Sequence, residues 1–222
     1  MARIRIRGLN KSGLANRLLA LALFLTGVGG AFLPWIWRPP VALQLTAPGL
    51  AEFVKFLPEV RYGQVQIQRL FFLLPLFFAM LALPVTLEIR TLALPRWLCW
   101  ALRLAVAPFA LAALPPVWTP TILIAPEFRL QTGLALTAGA LALLAPLLKN
   151  LPLKIVTIGL VGGGLAAVIL PLWHFSLVQP GIVEAYHQPV LFGWGWWVTA
   201  GGLIGSSIGG VWLGRAERQD RG

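Results

Sequence analysis

The sequence predicts an all-α, polytopic membrane protein: six transmembrane helices arranged as three outward-pointing hairpins, with short amphipathic interfacial helices on the outer side. Three observations predict it. Hydrophobic residues make up 58% of the chain and charged residues 11%, against about 25% charged in soluble domains, and the mean hydropathy is +0.81. Six apolar runs approach the ~20 residues needed to cross a ~30 Å hydrocarbon core. The basic residues fall overwhelmingly on one side when those runs alternate across a bilayer.

The six segments cover roughly 17–36, 70–89, 97–118, 132–148, 153–174 and 191–213. The first is expected to be a retained helix, because it begins too far from any small-residue cleavage site and "GGAFLPWIWRPP" is a poor exit for a signal peptide. With the N-terminus inside, the inner side receives Arg3, Arg5, Arg7, Lys11, Arg17, Arg90, Arg96, Arg103, Lys149, Lys154, Arg215, Arg218 and Arg221. The outer side receives only Arg38, Lys55, Arg61, Arg69 and Arg129. This asymmetry predicts a plasma-membrane protein with a basic cytoplasmic N-tail (1–16) and C-tail (214–222). The net charge of +11 is spread in clusters between apolar runs, so it points to the bilayer and not to nucleic acid.

The first helix of each hairpin ends outside on Leu-Pro followed by tryptophan: "LPWIW", "LPPVW" and "LPLW". Each outer loop then carries a proline, an acid and an aromatic. The recurrence is either an internal repeat of a helix pair or the ordinary enrichment of such residues at membrane interfaces. In the first outer loop Leu50, Phe53, Val54 and Leu57 share one helical face. A helix is therefore expected over about 48–57, capped by Thr46 with Pro48 in its first turn. It is expected to lie along the outer surface, with a lid across the bundle as the alternative. Pro75, Pro84 and Pro108 are expected to kink the second and third spans.

Charge inside a span is costly, ~2.5–3.5 kcal/mol at mid-depth on insertion scales. Arg103 is the one charge well inside, about 9 Å from Trp97 at ~1.5 Å per residue. Glu88 ends the preceding span on the same side and is a candidate partner; a structural anchor is the expectation for Arg103 and an anion-binding site the alternative. No acid lies at mid-membrane, which leaves a proton-coupled pump without machinery. Glu52, Glu59, Glu127 and Glu184 fall outside with His174 and His187. An outer-face ligand site from Glu52, Glu127, Glu184, His174 and His187 is conceivable chemistry for a cation, but none shows a ligand spacing, and solvated loop residues are the expectation. No catalytic motif is present: Ser206 and Ser207 have no histidine at mid-span. Cys99 stands alone, which excludes an intrachain disulfide and a cysteine-pair zinc site. No cofactor and no metal are expected.

Small residues carry the remaining signal. Gly201, Gly205 and Gly209 recur every fourth residue in the sixth span, beside Gly202, Ser206 and Gly210; Gly159, Gly163 and Ala167 repeat the spacing in the fifth. Such stripes let helix backbones approach closely where lipid removes the hydrophobic driving force. They predict packing between spans five and six, or against another membrane protein or a second copy through the sixth span. Trp194, Trp196, Trp197 and Trp212 sit at the two interfaces, as amphipathic rings do, and need no cofactor to explain them. The expected function is a non-catalytic subunit or assembly partner of a larger membrane complex, transport-related complexes included. The alternative is a small permease-like or substrate-binding component for an apolar or weakly polar compound. A lipid-acting enzyme at the outer face is the third reading.

Overall fold

The computed structural model describes residues 11–38, 43–89 and 94–220. Arg3, Arg5, Arg7, Arg90 and Arg221, all assigned to the inner side by the charge pattern, lie outside the described residues. The chain is a helical bundle. Its helices are α1 (Lys11–Ala31), α2 (Ala47–Phe53), α3 (Pro58–Arg61), α4 (Leu74–Leu87), α5 (Arg96–Leu104), α6 (Val106–Ala113), α7 (Pro120–Leu123), α8 (Arg129–Leu144), α9 (Leu153–Tyr186) and α10 (Trp194–Asp220). Single 3₁₀ turns at Val54–Phe56, Arg69–Leu73 and Ala145–Leu148 extend α2, precede α4 and end α8.

Among the described residues, five stretches are long and apolar enough to cross a membrane: Gly13–Ala31, Arg69–Leu87, Arg96–Ala113, Arg129–Leu148 and Leu153–Tyr186. The expected sixth, α10, is a continuous 27-residue helix, but its tryptophans and glycines hold its hydropathy below that of the other five. The hub is α1. Its most extensive contact is with α10, which is itself held between α1 and α9, and α1 also touches α4 and α6. α8 closes the other side against α4 and α6. The core runs along these seams, with Leu19, Leu23, Phe72, Leu76, Met80, Leu83 and Phe109 at 0–1% exposure. By contrast α5 buries no residue.

Several boundaries differ from expectation, each for a local reason. α1 ends at Ala31, five residues before the expected limit, because Pro34 disfavours helical geometry at the residue before it. The chain instead forms a short antiparallel ribbon, β1 (Ile36–Arg38) against β2 (Leu43–Leu45), with Ile36 opposite Leu45. Pro75 does not kink a helix, since it sits in the first turn of α4 where its missing N–H costs nothing. Pro84 lies within α4. The third segment breaks at Ala105, the residue between α5 and α6. The Pro108 ring needs the space of the carbonyl four residues back, that of Leu104, and α5 stops there.

The fifth segment runs on. α9 continues through Pro171 and Pro180 to Tyr186, 34 residues in all, or ~51 Å at the usual rise. Leu-Pro therefore ends a helix at 114–115 but lies mid-helix at 170–171. The tryptophans that follow also differ, Trp35 being buried and Trp118 and Trp173 more than half exposed. The three Leu-Pro-Trp sites are not structurally equivalent, which argues for interface composition over a repeat.

The loop helix forms over Ala47–Phe53, with Thr46 Oγ1 accepting from Gly49 N–H at 3.3 Å. Its apolar face does not rest in lipid headgroups. Leu50, Ala51, Val54 and Leu57 are 0–2% exposed, and α2 packs on Arg69–Leu73 and the end of α1.

Candidate functional site

The glycines of α10 divide into two sets by what faces them. A side chain at Gly202 would run into Thr26 and the Ala22 carbonyl of α1. One at Gly210 would meet Leu160 Cβ of α9 at 2.9 Å, and Ser206 between them is fully buried. This stripe is consumed inside the bundle. Along the other stripe, a methyl group added at Gly205 or Gly209 would stand 3.3 and 3.0 Å from Ala22 and Leu19, while one at Gly201 would meet nothing within 4 Å. Here α1 and α10 leave a groove of about 640 Å³, floored by Ala22, Gly201, Gly205 and Gly209 and edged by Leu18, Trp197, Ile208 and Trp212. Its lining is almost wholly apolar.

The fifth-span stripe is offset by one residue from the expected one. Gly164 meets α10, against Ser207 and the Leu203 carbonyl, whereas a methyl group at Gly163 would stand 2.8 Å from the Phe78 ring of α4 and one at Gly159 would face open space. Ala167 is fully buried. One step along a helix is 100° of rotation, enough to transfer the seam from one neighbour to another. The glycines that sequence reading passed over are in α1: Gly27 lies on Phe109 of α6, Gly29 on Thr199 of α10 and Gly30 on Leu76 of α4. The signal was the small-residue run "TGVGGA" at 26–31. Three hydroxyls at these seams are satisfied by their own helices, Thr26 donating to Ala22 O, Thr199 to Gly195 O and Ser206 to Leu203 O at 2.8–2.9 Å, whereas Thr157 Oγ1, facing Gly214 from α9, is buried without a partner.

No family model, characterised protein or solved structure matches the chain. The sites must therefore be read from their own geometry.

The five acids and histidines of the possible outer-face site do not converge. Glu52 and Glu127 belong to a charge cluster with Lys55 and Arg69: Lys55 Nζ lies 2.6 Å from Glu52 and 2.8 Å from Glu127, and Arg69 donates to Glu52 at 2.6 Å and to the Glu127 carbonyl at 2.7 Å. Both cations also lie over the Phe128 ring, at 4.9 and 4.5 Å, which adds attraction to the ring face. The Lys55 hydrogen bond holds the Glu127 carboxyl below its usual range against the upward push of burial. For Lys55 burial pulls the other way, but its bonds and charges from Glu127 and Glu52 outweigh it, and the net shift is upward. The cluster is internally neutral and leaves little acid free for a cation.

Glu184 instead lines a separate cavity of about 270 Å³ with Glu59. His174 is buried, its Nδ1 donating to Leu170 O at 2.9 Å and its ring 4.4 Å from Phe71. His187 caps α9 in the left-handed conformation, φ 52°. Among the described residues no three of His, Cys, Asp and Glu are grouped to hold a metal. At the opposite end Arg103 pairs with Glu88, both mostly buried, and the guanidinium stands 5.0 Å from the Trp100 ring.

Proposed function

We propose that the chain is a six-span plasma-membrane protein with both termini cytoplasmic, acting as a non-catalytic subunit or assembly partner of a larger membrane complex. The observation that carries the reading is the α1/α10 groove. Its floor is glycine and alanine on two helices that also pack against α4, α6 and α9, and its volume of about 640 Å³ is left open along the apolar flank. A small-residue floor admits a second helix backbone closely, and van der Waals contact of that kind drives association in lipid. The occupant is a transmembrane helix of the partner. α10 serves as the sixth span, and the basic residues put the Glu88–Arg103 end on the cytoplasmic side. The hydroxyls of Ser206 and Ser207 donate to Leu203 O and His174 bonds Leu170 O, which supports a structural role for these groups.

Photocrosslinking in native membranes tests the reading. A crosslinker at Ile208, on the groove edge, is expected to give a discrete protein adduct. One at Leu136, exposed on α8, is expected to give only lipid adducts. Gly201→Leu should fill the groove without an internal clash and abolish the Ile208 adduct. Lipid-only adducts at both positions sink the proposal.

A further inference from the structure

Away from that groove, α4, α8 and the start of α9 enclose a second cleft of about 380 Å³, walled by Phe78, Leu81, Leu141 and Ile155. Gly159 lies in its wall, where an added side chain would meet nothing within 4 Å. The missing side chain thus keeps volume open; it does not bring two helices together. At one end the cleft runs into a cavity of about 210 Å³, since Val85, Leu151 and Val156 line both. Two charged residues, Glu88 and Lys149, line this otherwise apolar end. The two charges are unequal in availability. Glu88 is taken by Arg103, whereas Lys149 is exposed and makes no ion pair among the described residues. Lys154 follows Leu153, another lining residue of the same cavity.

We infer that this continuous cleft binds an anionic phospholipid, one acyl chain running over Gly159 and the phosphate held at Lys149. The inference rests on the reading that the chain spans a membrane with this end cytoplasmic. An apolar trough opening onto one uncompensated cation matches an amphiphile with a single anionic end. Basic pockets between helices at the cytoplasmic face recognise headgroups in this way. A zwitterionic headgroup brings its own ammonium close to Lys149 and gains less.

Native mass spectrometry of the full chain, equilibrated with equal amounts of phosphatidylglycerol and phosphatidylcholine of the same acyl composition, reads the preference. Retention of phosphatidylglycerol is expected to exceed that of phosphatidylcholine by about fivefold or more, the effect of one basic residue at an anionic surface. Lys149→Gln should bring the ratio towards one. Gly159→Leu should lower retention of both lipids while leaving thermal unfolding unchanged, and Gly201→Leu should leave retention as it is. Equal retention by the unaltered protein, or a preference that survives both Lys149→Gln and Gly159→Leu, overturns the inference. Carbonate extraction separates the two failures: a chain released from membranes at alkaline pH defeats the spanning reading itself, and a retained chain without preference defeats only the lipid site.

Discussion

Gly202 of α10 lies directly against Thr26 of α1, backbone to backbone, with the Ala22 carbonyl 2.6 Å from where a methyl group would stand. Gly202→Ala is expected to destabilise the protein by about 1–3 kcal/mol, the usual cost of overpacking. Gly201→Ala, one residue away in open space, should stay within about 0.5 kcal/mol of the parent. Thermal unfolding in mild detergent compares the pair. If both substitutions behave alike, the α1–α10 seam is not where the structure puts it.

The Lys55–Glu127 pairing sets a pH window. The Glu127 carboxyl titrates below its ordinary value of 4.5, so its contribution is complete above that value and is lost as pH falls through the lower folded one. Lys55 titrates above its ordinary 10.5; its contribution is complete below 10.5 and is lost as pH rises past the folded value. Stability of the Glu52–Lys55–Arg69–Glu127 cluster should therefore be flat between these limits and decline in acid. Proteolysis of the loop near Gly63, measured against pH, is the readout. Glu127→Gln should flatten the acid limb, and an unchanged acid profile in that variant would remove Glu127 from the account.

His187 ends α9 with φ 52°, a left-handed conformation that costs an L-residue about 1–2 kcal/mol and a glycine almost nothing. His187→Gly is expected to raise thermal stability by up to about 1 kcal/mol, less the entropy that glycine adds to the unfolded chain. A fall in the unfolding temperature would show that the imidazole makes a compensating contact.

Local chemistry made part of this molecule legible. The capped helix after Thr46 was readable because cap, proline and apolar spacing all lie within a dozen residues. The Glu88–Arg103 pair was readable because few charges share that depth. What escaped was direction around a helix axis. Gly163 and Gly164 are equally small in the sequence, and only the positions of α4 and α10 decide which of them is the seam. The same holds for Glu52 and Glu127. They read as free outer acids until the fold brings Lys55 and Arg69 between them. Each stripe of the α1–α10 seam is visible in the sequence, but nothing local says that they meet, since they sit at opposite ends of the chain.

That pairing has a consequence for biogenesis. α1 leaves the ribosome long before α10, and at about 5–20 residues per second the wait is on the order of ten seconds or more. Throughout that interval the polar backbone exposed at Gly29, and the notch beside Ala22 and Thr26, have no native neighbour. The insertion machinery, or lipid, must shelter α1 until α10 arrives. Truncation just before Trp194 would leave the hub helix permanently in that state.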